Sequence, residues 1–165
     1  MAELTPQERL QPSLLDRLTD TDPESKTESR ERRILSIQRL RAGVLRDLAW
    51  LLNTGYLETT ESLEEYPNVR DSVLNYGIPD LAGVTVSGAD VARIEKAVRD
   101  AILKFEPRIN NRTLKVMVNV DPDRMSHNAM TFRIEGELWA QPTPIALYLK
   151  TEVDLETGDV AVSER

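Results

Sequence analysis

The apolar residues of this chain change their spacing at Pro107, and few folds accommodate that change. Before it they recur every three to four positions, the period of a helix with one buried face. Ile34, Ile37, Leu40, Val44, Leu45, Leu48, Leu51 and Leu52 mark a long helix over residues 29–53, with Asn53-Thr54-Gly55 as its stop. A shorter helical turn carrying Val69, Val73 and Leu74 is predicted between Tyr66 and Gly77. Ser87-Gly88-Ala89-Asp90 opens a second long helix whose stripe is Val91, Ile94, Val98, Ala101, Ile102 and Phe105. Beyond Pro107 the period falls to two. Leu114, Val116, Val118 and Val120 alternate with polar residues, and Met130, Phe132, Ile134 and Leu138 face one way while Thr131, Arg133, Glu135 and Glu137 face the other. Gly136 is expected to mark a bulge, and Gly158 to hold the left-handed position of a hairpin joining a strand at 145–154 to one at 160–163. Helices first and an antiparallel meander second is the α+β class, with the N-terminal helices packed on one face of a C-terminal antiparallel β-sheet.

A length of 165 residues suits one such domain, expected over 29–165. Residues 1–28 are rich in Pro, Ser, Thr and acidic side chains and read as a largely flexible tail. Within the tail Ser13 stands before Leu14, Leu15 and Leu18, a capped amphipathic turn. It either docks on its own domain or binds a partner.

Several chemistries are excluded. The chain has no cysteine, so it has no thiolate nucleophile, disulfide or sulfur-ligated metal. His127 is the only histidine and sits in a polar turn, so neither a catalytic triad nor a multi-histidine metal site can form. No Gly-rich loop with a lysine opens a helix after a strand, and a net charge of -7 disfavours nucleic acid and anionic membranes. No apolar run reaches bilayer length, and the first residues lack the pattern of a secretory signal, which points to the cytoplasm.

The residues with something to offer are charged. In Glu106-Pro107-Arg108, Pro107 ends the second helix, and in the extended chain after it positions i and i+2 project to the same side. Both charges are then expected on one side at the surface, and the tripeptide alone reads as a helix exit with solvated charges. Arg108 favours the ionised form of a carboxylate nearby, the wrong form for a general acid. Arg32, Arg39 and Arg46 lie seven apart on the first helix and in line with Trp50, which reads as a solvated face with one exposed Trp or, as the other alternative, a protein interface. Arg41 projects within the apolar arc of the same helix and must either snorkel to water or find a carboxylate, with Glu106 and Asp80 as candidates.

Taken in order, Pro12 to Leu18, Arg46-Asp47-Leu48, Leu51-Leu52-Asn53-Thr54, the run Ser72-Val73-Leu74-Asn75-Tyr76-Gly77-Ile78-Pro79-Asp80-Leu81, Phe105-Glu106-Pro107-Arg108-Ile109 and the hairpin from Leu155 to Val160 resemble the TssE-type baseplate subunit of bacterial type VI secretion systems. That family is related to the sheath initiator of contractile phage tails. The resemblance implies a structural protein, with no cofactor and no enzymatic activity, in a cytoplasmic baseplate docked to the inner-membrane complex. It also implies wedge and sheath subunits as partners. Glu106, Pro107 and Arg108 would be the wedge-binding motif, and a sheet edge in the C-terminal hairpin would pair with sheath strands, so that a proline at Ala161 is expected to block sheath initiation. The family has also been called lysozyme-like, which makes a peptidoglycan-degrading hydrolase the alternative. Phage-type lysozymes place a Glu nine residues before an Asp or Cys, and no Glu here has either at that distance. A small-ligand binding module is the third reading, but no polar pocket signature supports it.

Overall fold

A computed structural model describes residues 13–19, 37–81, 88–119, 129–138, 145–154 and 157–164. The expectations for His127, for Arg32 and the start of the first helix, and for the tail other than 13–19 lie outside the described residues. Helix α1 spans Leu14–Leu18, α2 Ile37–Leu52, α3 Pro67–Arg70 and α4 Gly88–Phe105. Short 3-10 turns occupy Leu57–Thr59 and Val73–Asn75. The strands follow: β1 Lys115–Asn119, β2 Ala129–Leu138, β3 Ile145–Asp154 and β4 Val160–Glu164, antiparallel neighbours in the order β1-β2-β3-β4. This is the α+β arrangement expected from the change of period.

The core forms where the stripes of α2 and α4 meet the inner face of the sheet. Leu40, Val44, Leu48, Leu51 and Leu52 come from α2, and Ile94, Val98, Ala101 and Ile102 from α4. The sheet contributes Met130, Phe132, Ile134, Leu138, Leu147, Leu149, Val153 and Val160. Burying one such large side chain is worth about 1.5–3 kcal/mol. An exposed pair such as Lys150 with Glu152, 3.1 Å apart, is worth about 0–1 kcal/mol. The apolar stripes therefore decide the fold.

Gly136 does not mark a bulge. The register runs unbroken through it, with Glu135 opposite Tyr148, Gly136 opposite Leu147 and Glu137 opposite Ala146. A Cβ at Gly136 would lie 3.2 Å from Ile109 Cγ2, so the missing side chain makes room for the segment that follows α4. Gly158 does take the left-handed conformation, at φ 79°. Its N–H donates to the Asp154 carbonyl at 2.7 Å and closes the β3–β4 hairpin.

The two edges of the sheet differ. On β1 the Val118 N–H is bonded at 2.7 Å by Glu95 Oε1 of α4. On β4 the side-chain amide of Asn53, just past α2, holds both backbone groups of Val160. Nδ2 donates to the carbonyl and Oδ1 accepts from the N–H, each at 2.8 Å. Antiparallel pairing alternates, so Val162 turns its N–H and C=O the same way as Val160, away from β3. Ala161, opposite Glu152, turns its own toward β3.

Candidate functional site

Helix α4 ends at Phe105, and Pro107 carries the chain off its axis as the sequence predicts. The helix exit leaves Glu106 facing inward. Glu106 is only 3% exposed, which corrects the expectation that both charges of the motif lie at the surface. Arg108 folds back on it. The Arg108 backbone N–H donates to Glu106 Oε1 at 3.1 Å and its Nε to the same oxygen at 2.6 Å, while Nη2 donates to Oε2. The same Nη2 reaches Asp47 Oδ2 of α2 at 2.6 Å. Burial alone pulls the Arg108 pKa down, but hydrogen bonds and charge from Glu106 and Asp47 outweigh it, and the guanidinium is held above its usual range.

The network runs on from Asp47. Its Oδ1 accepts from Arg46 Nε at 2.9 Å, and Arg46 Nη1 donates to Asp16 Oδ1 of α1 at 2.6 Å. Helix α1 is thus tied down by its polar side. Ser13 caps it, accepting the Asp16 N–H at 3.3 Å and donating to Asp16 Oδ2 at 2.6 Å. Its leucines face out, Leu14 at 70% exposure and Leu18 at 74%. Gly43 of α2 lies below this junction, where a Cβ would sit 3.4 Å from Asp16 Oδ2 and 3.5 Å from Arg108 Nη1. Glycine in a helix interior costs roughly 1 kcal/mol relative to alanine. At this position a Cβ would meet both side chains only at van der Waals distance, so alanine could be accommodated.

Around the network is an open cleft of about 450 Å³. Trp50, Leu51, Tyr76, Phe105 and Pro107 form its apolar lining, and Asp47, Glu106, Arg108 and Ser13 its polar part. Tyr76 meets Phe105 edge-on with centroids 5.0 Å apart, and Arg46 lies 5.2 Å from the centroid of the exposed Trp50 ring. Of the predicted arginine row, Arg46 and Trp50 therefore join the site, while Arg39 is exposed farther along α2. Arg41 donates to the Ala146 carbonyl of β3 at 3.1 Å, and Glu106, one of its expected partners, is occupied by Arg108.

Sequence reasoning missed Asp16 and Asp47 as members of the site. Asp16 carries a usable signal, since Ser13 and an acidic residue three positions on form a capping pattern. Asp47 carries none, because it meets Arg108 across 61 residues of chain.

The hydrogen bond from Arg46 holds the Asp16 carboxyl below the ordinary carboxylate range; burial opposes this, and Ser13 adds to it. A carboxyl lowered on folding contributes stability above its unfolded pKa of about 3.9, and that contribution is lost as pH falls through the folded value. Helix α1 is expected to stay docked at neutral and mildly acidic pH and to release only under strong acid. The Asp16 amide resonance in NMR spectra checks this: it should titrate with a midpoint below that of an ordinary aspartate. In Asp16→Asn, α1 amide shifts at neutral pH should move toward random-coil values. An unchanged set of shifts in that variant rules out the ion pair as the tether.

Chemically the site is suited to recognition. Both oxygens of Glu106 accept hydrogen bonds from Arg108, so neither is free to protonate a glycosidic oxygen. Among the described residues no group of three or more acidic or histidine side chains could hold a metal ion, and no helix is long and apolar enough to cross a membrane.

Comparison with known proteins gives a family and a similar solved structure. The family model described as baseplate wedge protein gp25 matches residues 38–143, a span that includes nearly all of α2, the cleft lining other than Ser13, β1 and β2 but neither α1 nor the β3–β4 hairpin. A solved structure from Geobacter sulfurreducens, described as a tail lysozyme, superposes with a TM-score of 0.47 at 18% identity. The superposition covers 71% of this chain and 92% of that one. No curated protein matches the chain.

Proposed function

The chain belongs to the baseplate wedge protein gp25 family, and from that premise we propose that it is a non-enzymatic scaffold in the baseplate of a contractile type VI secretion machine. In this reading it joins wedge subunits to the first sheath ring and initiates sheath polymerisation by strand pairing. It works in the cytoplasm, in a baseplate docked to the inner-membrane complex, as one α+β unit over 29–165 with the segment before it serving for docking.

The observation that carries the reading is the outward-facing N–H and C=O of Val162 on the β4 edge. On β4 Asn53 holds both backbone groups of Val160 and, among the described residues, no side chain holds Val162; on β1 Glu95 holds the Val118 N–H and Val116 turns its groups the same way as Val118. An edge with an outward donor and acceptor can take another chain's strand. The wedge is assigned to the cleft. There Glu106 fixes Arg108, Pro107 stands at the rim, and Nη1 of Arg108 has no hydrogen-bond partner among the described residues, which leaves it for an acceptor on the incoming protein. Exposed Leu14, Leu18 and Trp50 supply apolar area beside it.

The test is reconstitution with purified wedge and sheath subunits. The chain is expected to co-purify with the wedge and to seed sheath polymers. Leu18→Ser combined with Trp50→Ser should reduce wedge capture on the order of tenfold with at most a small fall in melting temperature, because Leu18 is largely in water and Trp50 is half exposed. Solubilisation of peptidoglycan by the chain alone, with no binding to either set of subunits, overturns the reading in favour of the hydrolase.

A further inference from the structure

The segment between α2 and α4 contains a turn built inside out. Within the 3-10 turn Val73–Asn75 the amide side chain is buried, with Asn75 6% exposed, while Val73 is 77% exposed and its neighbour Leu74 67%. Burying an amide and leaving two branched aliphatic side chains in water runs against the hydrophobic effect at all three positions. Hydrogen bonds hold this arrangement. Asn75 Oδ1 accepts the Glu58 N–H at 3.0 Å and Nδ2 donates to the Arg70 carbonyl at 3.2 Å, tying the turn to both preceding segments. Ser72 Oγ accepts the Leu74 N–H at 3.1 Å and donates to the Val69 carbonyl at 2.8 Å. Tyr76, the next residue, points the other way into the cleft, so Val73 and Leu74 are presented on a surface of their own.

The chain on which that surface is built is strongly acidic. Between Leu57 and Tyr76 there are five carboxylates, Glu58, Glu61, Glu64, Glu65 and Asp71, against the single cation Arg70. Lys104 of α4 approaches, but it is committed to Asp71 at 3.3 Å and to the Arg70 carbonyl. So acidic a segment repels anionic lipid and nucleic acid, and it disfavours a second copy of a chain whose net charge is -7.

We propose that the Val73–Leu74 turn is a docking surface for a basic amphipathic segment of a partner protein. The two aliphatic side chains are its anchors, Asn75 positions them, and the exposed glutamates of the same segment meet lysines or arginines on the partner. The surface is separate from the cleft and from β4, so it does not depend on what binds at either.

The experiment places the photo-crosslinking residue benzoylphenylalanine at Leu74 in the full chain, in its own cells, with the same residue at exposed Arg99 as control. The captured peptide is then sequenced. The expected product is an intermolecular cross-link to a peptide with an excess of lysine and arginine and apolar residues at helical spacing. Its yield should fall on the order of tenfold when Glu61→Lys, Glu64→Lys and Glu65→Lys are combined. Adding Val73→Ser should lower it further, and neither variant should alter melting, since these side chains are exposed. Four results overturn the proposal: a cross-link to this chain's own residues, a captured peptide without positive charge, a yield indifferent to the charge reversals, or no product above the Arg99 control.

Discussion

Replacing Glu106 with alanine is expected to destabilise the folded chain by about 3–5 kcal/mol, the cost of removing one partner of a buried ion pair. For a chain of this size that corresponds to a fall of roughly 6–20 °C in melting temperature. The cause is what the change leaves behind. Arg108 would keep Asp47 but lose its hydrogen bonds to both oxygens of Glu106, in a setting that already penalises its charge. Adding Arg108→Ala should recover part of the loss, because the stranded cation goes with it, although Asp47 then keeps only Arg46. Differential scanning calorimetry of the single and double variants gives the comparison. A single variant that melts within about 2 °C of the parent would show that Arg108 simply swings into water. The expected outcome reverses what the tripeptide alone suggests, in which Glu106 can be removed without harm to the fold. Loss of function in Glu106→Ala would therefore not by itself identify a binding residue, and exposed Leu18 and Trp50 are better positions for testing wedge contact.

The parts of this fold legible in the sequence are those in which neighbouring residues decide. The helical stripe of α2, the alternation in β2, the cap at Ser13 and the left-handed glycine at 158 all depend on residues within a few positions of one another. The missed features join distant residues. Glu106 reads as a surface charge until Asp47, brought in by α2, supplies a second carboxylate for Arg108. Gly136 reads as a bulge until Ile109 is seen to need the space. Asn53 reads as a helix stop, and it is one, but its amide also covers Val160 across 107 residues. The Val73-Leu74-Asn75 run misleads in another way. By composition two apolar residues belong inside and an amide outside, yet hydrogen bonds from Asn75 to two other segments decide the opposite. Three of the four central site residues, Glu106, Pro107 and Arg108, were thus legible as a motif, while their geometry was not.

Val162→Pro is expected to abolish sheath initiation while leaving the chain folded, if β4 is the nucleating edge. Proline removes a backbone donor and obstructs the ladder on the side that donor faces, so its effect depends on which way the residue points. At Ala161, the position first expected to be critical, the N–H faces β3 opposite Glu152, and proline there would damage the chain's own hairpin. Any loss of sheaths would then have two causes. At Val162, opposite Thr151, the N–H faces outward, so proline removes only what an added strand would use. The Val162 side chain packs partly against the core, and its loss is expected to cost about 1–2 kcal/mol. Val162→Ala takes away the same packing but keeps the donor, which separates the two contributions. Fluorescence of a labelled sheath subunit in cells should show sheaths with Val162→Ala and none with Val162→Pro, with both proteins melting within several degrees of each other. Normal sheaths in the proline variant would exclude β4 and turn attention to β1, where Val116 faces outward and Glu95 holds the Val118 N–H. Loss of sheaths in both variants would mean that the side chain of Val162, and not its backbone, is what the sheath requires.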